Sequence, residues 1–142
     1  MTVFNKIWVL DDSEMMRAFL KNICEKIGDT ELFGDPISFL ERILKEECPA
    51  VILLDLNLPN IHGLDLLQTL KNAKITDKSK VIIISSSDKS DEKIKCLNLG
   101  AQDFICKPFH PEELEIKLRR AFPSHKSTET KLLNLNAQKY GS

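Results

Sequence analysis

Four separate stretches of the chain carry side chains that can act together. Asp11-Asp12 close the apolar run W-V-L, and Asp55 follows Ala50–Leu54. Ser85 follows V-I-I-I, and Lys107 follows the run 103–106. Adjacent carboxylates at the edge of a core repel each other and lose hydration, so cations must answer them. If the runs ending in Asp11-Asp12 and Asp55 are neighbours, three carboxylates meet. Lys107 supplies one positive charge, and a hard divalent ion with oxygen ligands, most naturally Mg²⁺, supplies the other two. The chemistry open to such a site is narrow. A carboxylate beside Mg²⁺ can attack phosphorus and become an acyl phosphate. Phosphoryl transfer needs little beyond alignment and neutralisation of the equatorial oxygens. Asp55 is the best-placed nucleophile, and the Ser85 hydroxyl can donate to a phosphoryl oxygen.

The elements that must position these groups follow from the apolar pattern. Short β-branched runs at Lys6–Leu10, Ala50–Leu54, Val81–Ile84 and Asp103–Cys106 read as strands, with Thr30–Phe33 a weaker fifth. V-I-I-I shows no alternation, which fits a strand covered on both faces, as in a parallel sheet. Helical stripes lie between the runs. Met15, Phe19, Ile23 and Ile27 begin behind Ser13, a good N-cap, and stop at Gly28. Ile37, Leu40, Ile43 and Leu44 follow Pro36; Leu64, Leu67 and Leu70 follow Gly63; Ile94, Leu97 and Leu99 end at Gly100; Leu114, Leu118 and Phe122 follow Pro111. These stripes are expected to form the core. Strand and helix alternate five times, which predicts an α/β fold with a parallel sheet and helices on both faces. In such sheets ligands bind at the carboxyl ends of the strands, where the four stretches lie.

Composition bounds the alternatives. A chain of 142 residues with net charge -1 fits one ordinary domain. There is no basic excess to suggest nucleic-acid binding, and the first ten residues are neither a signal peptide nor a membrane span. Cys24, Cys48, Cys96 and Cys106 are scattered, without metal or redox spacing, and read as reduced thiols of a cytoplasmic protein. His62, His110 and His125 show no ligand spacing. Residues 1–122 therefore read as one domain, and the polar stretch 123–142 reads as a tail, linker or docking extension.

D-D at 11–12, D-L-N-L-P-N-I-H-G at 55–63, I-S-S-S at 84–87 and K-P-F at 107–109 resemble the receiver domain of two-component response regulators. Their order and intervals match that family over about residues 5 to 122. The resemblance implies a flavodoxin-like, doubly wound, five-stranded parallel sheet of order 2-1-3-4-5 with five helices, the strand order being the family's. It implies that Asp55 accepts a phosphoryl group from a histidine kinase or a histidine phosphotransfer protein. Asp12 and Asp55 would ligate Mg²⁺, Asp11 would do so directly or through a water, and Asn57 would offer its backbone carbonyl. Ser85 takes the switch-hydroxyl position, Phe104 the switch-aromatic position and Lys107 that of the active-site lysine. Lys107-Pro108 is expected to be cis, and Asn57 and Ser87 fall where phosphoryl lifetime is tuned. The partner face would be formed by the fourth helix, fifth strand and fifth helix, with an unknown downstream protein target and an open possibility of phosphorylation-dependent dimers.

Each feature also has a plainer reading. Asp11-Asp12 can favour the N-terminus of the next helix. The serine triplet can be loop filler, Phe104 core packing and Lys107 a solvated strand end. A Phe at position 104 has no hydroxyl, so a switch there would act through packing. A hydrogen bond from Ser85 to a charged group is worth roughly 1.5–3 kcal/mol. Inverting a two-state population needs about 5.5 kcal/mol, so Ser85 cannot drive a switch alone. Three functions compete. The first is a signalling domain that catalyses its own phosphorylation and slow autodephosphorylation rather than turning over a substrate. It would stand alone or belong to a longer regulator or hybrid kinase. The second is a haloacid-dehalogenase-like aspartyl phosphatase, which would want an acid where Asn57 stands. The third is a degenerate receiver acting only as a binding surface.

Overall fold

The computed structural model describes residues 2–45 and 48–122, so the stretch 123–142 lies outside the described residues. Five strands, β1 (Thr2–Leu10), β2 (Asp29–Phe33), β3 (Cys48–Asp55), β4 (Lys80–Ser85) and β5 (Asp103–Cys106), form one sheet in the order β2-β1-β3-β4-β5. All neighbours are parallel. Helices α1 (Glu14–Cys24), α2 (Pro36–Lys45), α3 (Gly63–Asn72), α4 (Ser90–Asn98) and α5 (Pro111–Ala121) alternate with the strands, and a single 3-10 turn (Ile75–Asp77) precedes β4. The alternation predicts the parallel sheet with helices on both faces, and the strand order is the doubly wound one that the resemblance implies. β1 begins before the expected Lys6, pairing Thr2 with Cys48 and Val3 with Pro49 ahead of a register shift.

The strands without alternation are the ones covered twice. On one face, Trp8, Leu10, Ile52, Leu54, Val81, Ile83 and Phe104 pack against α2, α3 and α4. On the other, Ile7, Val9, Val51, Leu53, Ile82, Ile84 and Ile105 pack against α1 and α5. Successive residues point to opposite faces, so a strand buried on both sides must be apolar throughout. β3 is the extreme case, with every residue buried.

The helical stripes need correction. Met15 is 83% exposed and Phe19 partly so, whereas Leu20, Ile23 and Cys24 are buried, with Met16 and Ile27 packed against them. Ile37 is 65% exposed, and Leu44, Ile94 and Leu97 are also on the surface. Ile43 of the expected α2 stripe is buried and Leu40 packs against the core, while Phe39 and Cys96, outside the expected stripes, are buried in place of the exposed positions. In α1, two apolar rows one residue apart run along neighbouring faces, and only packing against the sheet decides between them. The α3 and α5 stripes do face inward at Leu67, Leu70, Leu114 and Leu118, with Leu66 added to α3.

Helix ends set the loops at the strand tips. The Ser13 hydroxyl accepts from Met16 N–H at 3.2 Å and starts α1 directly after Asp11-Asp12. α1 stops at Cys24, short of Gly28, where Ile27 N–H and Gly28 N–H both close on the Cys24 carbonyl. Asp35 caps α2, accepting from Ser38 N–H at 3.0 Å and the Ser38 hydroxyl at 2.7 Å. His62 Nδ1 accepts from Leu64 N–H at 3.3 Å ahead of α3. A Cβ on Gly63 would stand 2.4 Å from the Leu56 carbonyl oxygen, so only glycine lets α3 start this close to the end of β3.

Candidate active site

The crossover from β1 outward in both directions leaves a crevice at the carboxyl ends of β1 and β3, the place where open α/β sheets hold their ligands. Asp11 follows β1 and Asp55 ends β3, so parallel pairing of Leu10 with Leu54 sets the two acids side by side. Asp12 points out beside them. Asp11, Asp12 and Asp55 each offer a carboxylate oxygen within 4.8 Å of the others. Asp11 and Asp55 are only 1% and 3% exposed, while Asp12 is exposed.

Lys107 enters from the end of β5. Its Nζ stands 3.4 Å from Asp55 Oδ1 and 3.9 Å from Asp11 Oδ2, with the side chain 24% exposed. Its backbone is anchored by Lys107 N–H donating to the Ser85 carbonyl at 2.7 Å, and the Lys107–Pro108 peptide is cis. The carboxylates also take backbone donors. Ser13 N–H donates to Asp11 Oδ1 and Asn57 N–H to Asp55 Oδ1, each at 2.9 Å. Arg17 donates to the Asp11 backbone carbonyl at 2.8 Å.

One oxygen is left over. Asp11 Oδ2 is buried and has no hydrogen-bond partner. Burial raises the Asp11 pKa above its ordinary value; Ser13 N–H opposes this, Asp55 and Asp12 add to it, and Lys107 opposes it. One ammonium does not satisfy three acids. A hard cation on the orphaned oxygen and its two neighbours would, and an all-oxygen donor set is the kind that Mg²⁺ takes. The residues present therefore fit that ion.

The other expected groups are placed less simply. Ser85 is buried, and its hydroxyl donates not toward Asp55 but to Glu92 Oε1 of α4, at 2.9 Å. Ser87 N–H donates to Ser85 Oγ at 3.0 Å. Asn57 lends its side chain as well as its backbone: Oδ1 accepts from Ser86 N–H at 2.8 Å and from Ser86 Oγ at 3.0 Å. This ties the loop after β3 to the loop after β4. Phe104 is buried among the residues facing α2, α3 and α4. His62 caps α3, His110 precedes α5 without a side-chain cap bond, and His125 lies outside the described residues. Glu92 was invisible to pattern reading. Its only sequence signal is that of an acid in a first helical turn, which many helices carry.

Comparison with known proteins agrees with this geometry. Residues 7–119 match the family described as "Response regulator receiver domain". The chain is 33% identical over 130 residues to the phosphate regulon transcriptional regulatory protein PhoB of Rhizobium meliloti, covering 87% of this chain and 56% of that protein. It is 31% identical over 111 residues to the chemotaxis protein CheY of Thermotoga maritima, covering 77% of this chain and 90% of that protein. The chain thus spans about half the length of the PhoB relatives. Among solved structures, the Francisella response regulator 1452 receiver domain superposes with a TM-score of 0.75 at 32% identity, covering 83% of this chain and 96% of that one. The BeF3-activated DrrB receiver domain gives 0.73 at 26%, covering 84% and 97%. These matches give no support to the haloacid-dehalogenase-like phosphatase. The chain belongs to the response regulator receiver domain family, whose members signal through phosphorylation.

Proposed function

We propose that Asp55 is the phosphoacceptor of this receiver, taking its phosphoryl group from a histidine kinase or a histidine phosphotransfer protein with Mg²⁺ held by Asp11, Asp12 and Asp55. One observation carries the reading: Lys107 Nζ stands within ion-pair distance of both Asp55 and the Asp11 Oδ2 that no hydrogen bond satisfies, beside the three-acid cluster. Asp55 Oδ1 is already held by Asn57 N–H and Lys107. Oδ2 is then the oxygen that forms the new bond to phosphorus. The N–P bond of the phosphohistidine donor breaks, and its electron pair and a proton go to the imidazole nitrogen. A bound Mg²⁺ would neutralise charge on the phosphoryl oxygens. Lys107 attracts the same oxygens and relieves the repulsion between donor phosphate and acid pocket. The backbone carbonyl of Asn57 is the natural further ligand, next to the N–H that already holds Asp55.

Self-catalysed phosphorylation and slow autodephosphorylation belong to the same proposal, with no separate substrate. Ser85 and Phe104 form the switch pair. Their strands are in register, with Ser85 opposite Cys106 and Ile83 opposite Phe104. Movement of Ser85 toward a phosphoryl oxygen would open room for the Phe104 ring and reshape the face made by α4, β5 and α5. We assign this role to residues 1–122 and read 123–142 as a linker or docking extension to an unknown partner. Incubation with acetyl phosphate and Mg²⁺, followed by intact-mass measurement, tests the central step. The wild-type chain should gain one phosphoryl group and Asp55→Asn none. Label on the Asp55→Asn chain would assign the nucleophile elsewhere.

A further inference from the structure

A serine hydroxyl has one proton to donate. In Ser85 that proton is committed to Glu92 Oε1 at 2.9 Å, while Ser87 N–H occupies one lone pair of the same oxygen at 3.0 Å. Ser85 is fully buried, so no water replaces these partners. A hydroxyl so engaged cannot simultaneously donate to a phosphoryl oxygen on Asp55. We infer that Glu92 is a positioning residue for the phosphoryl site: it holds the Ser85 hydroxyl away from the acid pocket, and the phosphoryl group must take the hydroxyl from it. The inference rests on Asp55 being the phosphoacceptor.

The competition is between two anions. A phosphoryl group carries nearly two charges where a carboxylate carries one, so it is the stronger acceptor. Glu92 is only partly buried, and water can solvate it once Ser85 leaves. The exchange therefore runs toward the phosphoryl group, but over a shallower gradient than a free hydroxyl would give. Asn57 bears on the geometry of the exchange. By holding Ser86 through two hydrogen bonds it keeps the loop after β4 in place, so rotation of the Ser85 side chain suffices.

The exchange also reaches α4. The only buried residue of this helix is Cys96, near its far end, and Lys71 Nζ donates to the Asn98 carbonyl at that same end. The Ser85–Glu92 bond ties the first turn. Its loss would free that turn while the far end stays packed, so taking the hydroxyl doubles as a signal to the helix. An acid in the first turn of a helix would be favoured there without any serine, and the experiment separates the two roles.

The 142-residue chain is titrated with beryllofluoride in the presence of Mg²⁺, followed by amide NMR shifts, for wild type, Glu92→Ala and Glu92→Gln, each also in a Ser85→Ala background. Glu92→Ala should tighten the apparent affinity about tenfold, equal to ~1.4 kcal/mol. Glu92→Gln should fall between, because its amide oxygen still accepts from Ser85 without the charge. In the Ser85→Ala background the Glu92 substitutions should change nothing, since a residue acting through Ser85 has no effect without it. Unchanged or weaker affinity in Glu92→Ala overturns the inference. So does tightening that persists without Ser85, which would reveal plain charge repulsion. If Glu92→Ala does not fold, the Glu92→Gln pair decides by the same criteria. A wild-type chain that binds no beryllofluoride would overturn the phosphoacceptor reading itself, a different result from a Glu92 variant matching wild type.

Discussion

Replacing Asp11 with Asn should stabilise the metal-free protein. Asn is nearly isosteric, and its Oδ1 can keep the 2.9 Å bond from Ser13 N–H. The substitution removes one charge from a cluster whose three acids lie within 4.8 Å of one another. At an effective dielectric constant of about 20, Asp55 repels Asp11 by roughly 3–4 kcal/mol, and Lys107 at 3.9 Å attracts it by about as much. Exposed Asp12 is screened by solvent and adds least, so these terms nearly cancel. What remains is the cost of keeping a 1% exposed carboxylate charged with one oxygen unpartnered. Removing it should gain on the order of 2 kcal/mol, or about 5 °C in Tm for a chain of this size. Mg²⁺ should then invert the order. At a hundred times its Kd the ion adds about 2.7 kcal/mol to wild type, most of which Asp11→Asn forfeits. Thermal melts by circular dichroism in EDTA and in excess Mg²⁺ measure both halves. If Asp11→Asn melts at or below wild type in EDTA, or gains as much from Mg²⁺, the charge argument is wrong.

Two further outcomes follow from groups outside the pocket. The Asp35 pKa is lowered by the Ser38 hydroxyl and then by the N–H groups of Ser38 and Ile37, so its contribution is present above its unfolded pKa and fades as pH falls through the folded one. Asp35→Ala should therefore lower Tm at pH 7 and matter less and less in acid, read from melts across pH 2–7. Burial pushes the Cys24 thiol up to about 12 and the Cys96 thiol to about 11, and Cys48 is buried as well. Brief iodoacetamide treatment of the folded chain should label the half-buried Cys106 first, and peptide mass mapping that finds Cys24 or Cys96 ahead of it would contradict this packing.

The sheet was legible because its signal is redundant. V-I-I-I can only be satisfied by cover on both faces, and each acid or base that marks the site sits at the end of such a run. Asp11, Asp12, Asp55 and Lys107 could be grouped from charge alone once those runs were laid in parallel. Helix faces were less legible. Met15-Phe19 and Met16-Leu20 are equally apolar rows, and the choice between them is made by the sheet beneath α1, which no local pattern encodes. Glu92 was hidden for a related reason. Its meaning comes from a hydrogen bond across the loop after β4, formed by how α4 is seated and not by any spacing that distinguishes it from Asp91.

β3 is buried along its whole length and paired on both sides, by β1 and by β4. Amides in such a strand exchange with solvent only when most of the molecule opens. Asp55 sits at its tip and is thus the least movable group of the pocket. With Asp55 as the proposed phosphoacceptor, regulation would not work by swinging this acid in or out of reach, and the timing of the reaction would instead be set by what approaches a stationary oxygen: the donor, the ion and the hydroxyl across the loop.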